Sequence, residues 1–246
     1  AANTRLSDVR GDIGQLIYCG YDINELAGKV SYEEVVHLLH HDHLPNKHEL
    51  ADLKKTFAEF RELPEGVVNI IRELPRTTPP MHALRTGISA LGCFDTTCDD
   101  DSQHAQRRKA LRLIAQIPVV TAYFHRHRQG KGLVHPDRAL GEAANFLHMI
   151  NGEKPQKEVE STLDMCYVLH ADHGMNASTF SARVTIATLS DMYSAITTAI
   201  GTLKGPLHGG ANEGVIKMLQ DIGSLEKVDA YIDDAMANKR KIMGIG

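Results

Sequence analysis

The stretch SYEEVVHLLHHDHLPNKHELADLKKTFAEF, residues 31–60, decides the fold class because it holds two consecutive helix signatures. Ser31 and Glu34 fit a capping box, in which a cap side chain and a carboxylate three residues later satisfy exposed helical N–H groups. The same pattern opens the second segment at Asn46, and apolar residues follow each box at helical spacing. The histidines of HLLHHDH, residues 37–43, are predicted to lie on the surface at the end of the first helix.

Helical spacing recurs along the rest of the chain with almost no alternating pattern between the segments. The one strand-like piece is QLIYCGYDI at 15–23, which is predicted to form a short hairpin or turn. The sequence therefore predicts an all-α fold, with a break between helices at Gly205-Pro206. The further predicted helices span 66–74, 81–93, 104–128, 138–150, 156–170, 177–188, 191–203, 211–220 and 225–240.

Composition narrows the class of protein. The chain has 246 residues, of which 42% are apolar and 24% charged, which is typical of a soluble globular protein. Its net charge of −4 disfavours non-specific nucleic-acid binding, and no apolar run reaches membrane-spanning length. Four cysteines without paired spacing indicate a reduced, cytoplasmic compartment. No signal peptide is recognisable, and we expect that both ends of the chain are trimmed.

GPLHGGAN, residues 205–212, places His208 between a proline and a glycine pair. Pro206 cannot continue the preceding helix, and the glycines remove steric bulk beside the ring. A helix beginning near Ala211 would point its positive dipole end at this turn, which disfavours imidazolium. An uncharged imidazole can donate one N–H to a developing oxyanion, so His208 is the candidate catalytic residue. A histidine N-cap on a glycine-rich turn is the alternative.

A second stretch, LHADHGMNAST at 169–179, concentrates polar side chains of catalytic types. At helical spacing His170, His173 and Asn176 would share one face. His170, Asp172 and His173 would also suit a metal, although two histidines without a third placed ligand are a weak signal. Hydrogen-bonded histidines of the core are the structural alternative.

These stretches, with LIYCGYDINELA and the final KIMGIG, resemble the citrate synthase family, including the 2-methylcitrate synthases. The resemblance covers essentially all 246 residues. It implies a dimeric, almost wholly helical acyltransferase of the tricarboxylic acid cycle, with a large domain at 1–204. Residues 205–246 would then be the hinge and the beginning of a smaller mobile domain. Such enzymes join acetyl-CoA or propionyl-CoA to oxaloacetate, giving citrate or 2-methylcitrate, without a metal or a tightly bound cofactor.

The resemblance also assigns roles to single residues. His208 matches the histidine that hydrogen-bonds the thioester oxygen and stabilises the enol or enolate. His173 matches a histidine that binds oxaloacetate, and Asn176 matches a neighbouring pocket residue. Arg85 aligns with an arginine that contacts substrate or the dimer partner, with a structural salt bridge as the alternative. The loop that cradles the adenine end of CoA is matched by Lys241, Ile242, Met243, Gly244, Ile245 and Gly246.

Two segments rich in small residues, 81–93 and 191–205, would let helix axes approach closely. The residues alone leave packing inside the chain and packing between two copies equally open. The resemblance favours the second, because these segments match the helices of the family's dimer interface. We therefore expect a homodimer through these helices.

The sequence differs from the family pattern in two respects. Tyr18-Cys19-Gly20 replaces the usual Tyr-Arg-Gly, and the family continues past position 246 with a second catalytic histidine and an aspartate. The chain as given would hold one of three catalytic residues, and we expect it to be inactive alone. Two alternatives stay open at this point: a helical metal-dependent hydrolase using His170, Asp172 and His173, and a non-catalytic helical module or fragment.

Overall fold

The structure, a computed structural model, describes residues 3–243, with 211 and 212 described by their backbone alone. In this range a three-stranded antiparallel sheet precedes twelve α-helices and one 3-10 helix. The all-α prediction is confirmed. The strands are β1 (Ser7–Arg10), β2 (Gln15–Tyr18) and β3 (Tyr21–Asp22). The helices are α1 (Ile23–Leu26), α2 (Tyr32–His41), α3 (Lys47–Phe60), α4 (Glu65–Glu73), α5 (Pro80–Cys93), α6 (Gln103–Arg128), α7 (Glu142–Asn151), α8 (Lys157–Leu169), α9 (Ala177–Ile186), α10 (Met192–Leu203), α11 (Gly210–Ile222) and α12 (Val228–Ala237), with the 3-10 helix at Leu225–Lys227.

Helix α6 is the central element of the core. It is 26 residues long, and α3, α4, α5 and α7 pack around it. Ala115, Val119 and Ala122 on α6 are completely buried, since neighbours approach from several sides. A helix that is surrounded in this way needs apolar side chains on more than one face, which explains its weak amphipathic pattern. The predicted helix at 104–128 is confirmed.

The two predicted capping boxes are present at the starts of α2 and α3. The backbone N–H of Ser31 donates to Glu34 Oε2 at 2.7 Å, and that of Asn46 donates to Glu49 Oε2 at 2.8 Å. A third box, at Asp22, opens the short helix α1 inside the predicted strand-like piece. Local side-chain bonding therefore ends the hairpin and starts the helical part of the chain.

The predicted hairpin is formed by β2 and β3, with Tyr18 directly opposite Tyr21. The two residues between them, Cys19 and Gly20, have φ values of 45° and 92°, as a tight two-residue hairpin turn requires. Strand β1 pairs with β2 and was not predicted, because its mostly exposed residues show no apolar alternation. Cys19, which replaces the arginine of the family pattern, packs its Sγ against two backbone carbonyls of its own chain.

The histidines at the end of α2 and in the loop after it are not all surface residues, so that prediction is wrong in part. His37 is only 6% exposed, because the loop that follows α2 folds back over it. The His37 Nδ1–H donates to the backbone carbonyl of His43 at 3.0 Å. His41 and His43 are exposed, as expected.

The predicted break near Gly205-Pro206 is present, since α10 ends at Leu203 and α11 begins at Gly210. Residues 204–209 form the turn between them. Within residues 3–243, no helix combines the length and the hydrophobicity that crossing a bilayer requires.

Candidate active site

The predicted catalytic and binding residues lie at one end of a helical pair. Helices α9 and α10 follow each other closely in sequence and pack along each other. Such a pair runs antiparallel, so the start of α9 and the end of α10 lie at the same end. This arrangement brings the loop at 170–176 and the turn at 204–209 together.

His208 and Asn176 are joined there through a serine. Ser178 Oγ lies 2.9 Å from His208 Nε2 and 2.8 Å from Asn176 Oδ1. Asn176 is the N-cap of α9, and its Oδ1 also accepts the backbone N–H of Thr179 at 2.9 Å. Ser178 was missed by the sequence analysis. The available signal was a hydroxyl two positions after an asparagine cap, which points toward the space in front of the helix.

The serine decides which nitrogen of His208 can act on a ligand. Asn176 Oδ1 only accepts, so in this arrangement the single hydrogen of the Ser178 hydroxyl goes to Asn176 Oδ1, and Ser178 Oγ accepts the Nε2–H of His208. If that hydrogen turns from Asn176 Oδ1 to His208 Nε2, the uncharged ring carries its own hydrogen on Nδ1. The half-buried ring then offers an N–H at the edge of the turn, which is what an oxyanion requires.

The glycines beside His208 have a packing reason. A Cβ on Gly209 would lie 2.6 Å from both the backbone oxygen and Cδ1 of Leu203, so no side chain fits there. Because Gly209 has no side chain, the start of α11 packs directly against the end of α10. Beside this turn lies a cavity of about 380 Å³, lined by the start of α5, the end of α10 and the start of α11. Met81 and Glu213 form part of its wall.

The expectation that His170, His173 and Asn176 share a helical face is wrong. Helix α8 ends at Leu169, and His170 is its C-cap. The chain then leaves the helix and turns at Gly174, which has a φ of 59°. His173 therefore lies in a loop and Asn176 at its end as the N-cap of α9, so the 3.6-residue period does not apply between them.

The loop is held in place by the β-hairpin. The Tyr18 hydroxyl donates to the backbone oxygen of Asp172 at 3.0 Å, and the backbone N–H of Asp172 lies 3.2 Å from the same hydroxyl. The Asp172 carboxylate accepts the hydroxyl of Ser7 and, at 2.7 Å, the N–H of Gly174. Asp172 is thus a structural residue that fixes the turn, and the side chain of His173 is exposed.

The metal-dependent hydrolase is not supported. The Asp172 carboxylate is already engaged by the hydroxyl of Ser7 and the N–H of Gly174. Within residues 3–243, His170, Asp172 and His173 do not bring three ligand atoms together.

The other predicted site residues lie on neighbouring elements. Arg85 is exposed on α5, one turn beyond Met81 of the cavity wall. In the predicted CoA loop, Lys241 is exposed, and Met243 packs against α11, where a Cβ on Gly214 would lie 2.8 Å from its Cε. The rest of that predicted loop, Gly244, Ile245 and Gly246, lies outside the described residues.

The fold and the site define a helical protein whose polar site is built between the start of one helix and the turn before another. The family profile described as "Citrate synthase, C-terminal domain" matches residues 1–246. The chain belongs to the citrate synthase family, which confirms the resemblance on which the sequence analysis relied.

Individual relatives agree with this assignment. The chain is 47% identical to the citrate synthase of Haloferax volcanii over 250 residues, covering 100% of this chain and 66% of that protein. It is 41% identical to a 2-methylcitrate synthase of Mycobacterium tuberculosis, covering 99% of this chain and 61% of that protein. The chain thus spans less than two thirds of the length of these relatives.

Solved structures of the family share the fold. The citrate synthase of Pyrobaculum aerophilum is similar with a TM-score of 0.92 at 38% identity, covering 100% of this chain and 63% of that one. The citrate synthase of Thermoplasma acidophilum, in a ternary complex with carboxymethyl coenzyme A and oxaloacetate, has a TM-score of 0.92 at 32% identity. That match covers 100% of this chain and 65% of the other.

Proposed function

We propose that the protein to which this chain belongs condenses an acyl-CoA thioester with oxaloacetate, giving citrate or 2-methylcitrate and CoA. The observation that carries the proposal is the hydrogen-bonded chain from Asn176 through Ser178 to His208, built at the start of α9 in a member of this family. Through the hydroxyl of Ser178, this chain controls which nitrogen of the His208 ring carries the hydrogen that an oxyanion requires.

In the proposed reaction a base removes a proton from the carbon next to the thioester carbonyl. The electron pair of that C–H bond becomes the enolate, and negative charge develops on the thioester oxygen. The Ser178 hydroxyl turns its hydrogen from Asn176 Oδ1 to His208 Nε2, and His208 donates its Nδ1–H to the thioester oxygen. The enolate carbon then attacks the ketone carbon of oxaloacetate, and the ketone oxygen takes up a proton. Water finally cleaves the thioester and releases CoA.

The base is not among the residues identified in this chain. The family resemblance assigns proton removal to an aspartate beyond position 246, and polarisation of the ketone to a second histidine there. The proposal for this chain is therefore confined to the thioester oxygen, the oxaloacetate side and the CoA loop. Residues 205–246 as the start of a mobile small domain, and a cytoplasmic location, are further parts of the proposal.

The assay that tests the function follows release of free CoA from acetyl-CoA and oxaloacetate by the complete gene product. Initial rates with propionyl-CoA, measured in parallel, distinguish citrate from 2-methylcitrate synthesis. We expect thioester consumption that depends strictly on oxaloacetate. CoA release at the same rate without oxaloacetate would make the protein a thioesterase and overturn the proposal.

His173 is proposed to bind oxaloacetate, because it is exposed on the loop fixed by Tyr18 and Asp172. We expect His173→Ala to raise KM for oxaloacetate at least 10-fold, since a charge-assisted hydrogen bond is worth about 1.5–3 kcal/mol. KM for the acyl-CoA should change less. The measurement is steady-state kinetics with each substrate varied in turn.

The matched control is His170→Ala, which removes an exposed histidine three residues away that bonds only to its own helix. Its KM for oxaloacetate should stay within twofold of the parent value. Equal effects of the two substitutions would mean that the loop is merely disturbed, and would remove His173 from the substrate site.

The partner of the protein is proposed to be a second copy of itself. Some of the small residues in the two predicted segments pack against other helices of the same chain. Gly87 packs against Val120, and Ala195 is buried. Helix α9, which packs on α10, exposes Phe180 and Val184 to the extent of 60% and 53%. An exposed apolar face of this kind marks an interaction surface, so α9 joins α5 and α10 in the proposed interface.

We expect Phe180→Glu to convert the complete protein from dimer to monomer, since it places a charge in the centre of that apolar face. Sedimentation velocity at several concentrations measures the change. Val159→Glu on α8, where the valine is 47% exposed, is the matched control and should remain dimeric. A wild-type protein that sediments as a monomer at micromolar concentration would contradict the proposal.

A further inference from the structure

Three polar side chains meet where α2, the loop at 42–46 and α3 come together, a region that the proposed function does not use. His37 comes from α2, His43 from the loop and Glu49 from the first turn of α3. One ring nitrogen of each histidine and one carboxylate oxygen lie within 4.8 Å of one another. Within the described residues, this is the group of histidine and carboxylate side chains that brings three such atoms together.

Both histidines are held in the form that can bind a metal ion. The Nδ1–H of His37 donates to the backbone oxygen of His43 at 3.0 Å, and the Nδ1–H of His43 donates to that of Leu44 at 3.0 Å. A carbonyl only accepts, so in each uncharged ring the hydrogen is on Nδ1 and Nε2 keeps its lone pair. A ring N–H bonded to a backbone carbonyl is the usual support of a metal-binding histidine.

The carboxylate is oriented independently of the histidines. Glu49 Oε2 accepts the backbone N–H of Asn46 in the capping box at 2.8 Å, which fixes the carboxylate plane and leaves Oε1 for another partner. His37 is buried, whereas His43 is exposed and Glu49 half-buried. The side chain of His37 is therefore fixed by its surroundings, whereas those of His43 and Glu49 can move to bind an ion.

The geometry points to a binding site for a divalent transition-metal ion of the Zn²⁺ type, with His37 Nε2, His43 Nε2 and Glu49 Oε1 as ligands. Two imidazoles and one carboxylate suit zinc, and three protein ligands leave a fourth position for water. Neighbouring ligands of tetrahedral zinc are about 3.4 Å apart, so ligand atoms that lie within 4.8 Å of one another need only small side-chain movements to surround the ion.

His41 is not counted as a ligand. Its ring stacks on that of His37 with 4.3 Å between ring centres and 26° between planes. Among the described residues, the ligand atoms that lie within 4.8 Å of one another come from His37, His43 and Glu49 and do not include a nitrogen of His41. The ion would thus join the end of α2 to the start of α3, across the loop that carries His43.

The test is zinc binding by the complete protein, stripped of metal and titrated with Zn²⁺ in a calorimeter. We expect one zinc per chain at the tightest site. His43→Ala and Glu49→Gln should each weaken that site at least 10-fold. Both variants are built to fold, since His43 is exposed and glutamine at position 49 still accepts the Asn46 N–H.

His48→Ala is the matched control, because His48 is exposed next to Glu49 and pairs with Asp52 on its own helix. Its zinc affinity should equal that of the parent. Co²⁺ in place of zinc should give the visible absorption of a tetrahedral site, which Glu49→Gln should abolish. Equal zinc affinity in the parent, His43→Ala and Glu49→Gln, or an equal loss in His48→Ala, would overturn the inference. The readout is independent of the condensation activity.

Discussion

His208→Ala in the complete enzyme is expected to lower kcat for condensation by about 10²–10³-fold, the usual cost of removing one oxyanion donor. KM for oxaloacetate should change little, because the proposal assigns His208 to the thioester side and His173 to the oxaloacetate side. Steady-state rates of CoA release at saturating acyl-CoA measure the effect. The variant should unfold at the same temperature and sediment like the parent protein. The decrease in kcat is then due to the chemical step and not to misfolding or altered assembly.

Ser178→Ala provides the sharper version of this test. Ser178 acts through the His208 ring, so its removal alone should lower kcat by roughly 10-fold, the value of a hydrogen bond of about 1–1.5 kcal/mol. The double variant should be no slower than His208→Ala, because a positioning residue has nothing left to position. Thr188→Ala, a hydroxyl on the exposed end of the same segment, should behave as the parent. Near-normal kcat in His208→Ala, or additive losses in the double variant, would end the oxyanion assignment.

Much of the fold could be predicted because its signals are local. The capping boxes at Ser31 and Asn46, and the hairpin turn at Cys19-Gly20, are decided by residues within a few positions of each other. Helix α6 was found from its apolar spacing, although all its partners are distant in sequence. Strand β1 was not found, because a short exposed strand is specified by its partner and not by its own residues.

The sequence indicated which residues to consider for the site, but not how these residues are arranged in space. His208, His173 and Asn176 were selected from local motifs and the family resemblance, and the structure joins His208 and Asn176 through Ser178. The expectation that His170, His173 and Asn176 share a helical face failed, because the Tyr18 hydroxyl bonds to the Asp172 backbone from more than 150 positions away and holds the segment as a loop. Likewise, His37 is buried by a loop whose path cannot be read from helical periodicity.

Arg61→Met is expected to lower the free energy of unfolding by about 3–5 kcal/mol, the cost of leaving a buried charge without its partner. Arg61 Nε and Nη2 donate to Glu142 Oε1 at 3.0 and 2.7 Å, and the side chains are 2% and 1% exposed. Arg61 Nη1 also donates to the backbone oxygen of Asp137 at 2.8 Å. The pair therefore ties the end of α3 to the loop before α7 and to its first residue.

The decrease in the free energy of unfolding caused by Arg61→Met should be larger at higher pH, because Glu142 loses its proton as pH rises. Burial raises the pKa of Glu142 from 4.5 to about 7, with Arg61 opposing the rise and Glu33 adding to it. The folded protein thus binds the proton more tightly than the unfolded chain, and stability from this group falls as pH rises through that window. Without Arg61 the pKa of Glu142 in the folded protein rises further, so the decrease in stability continues to higher pH. The destabilisation by Arg61→Met should therefore be larger at pH 8 than at pH 6.

Urea unfolding at both pH values measures the effect. Arg138→Met, which breaks the exposed pair with Glu62, should leave the unfolding midpoint unchanged. If Arg61→Met alone does not fold, the double variant Arg61→Met with Glu142→Leu should fold, because it removes both buried charges together. A destabilisation that is independent of pH, or no larger than that of Arg138→Met, would show that burial does not govern the ionisation of Glu142.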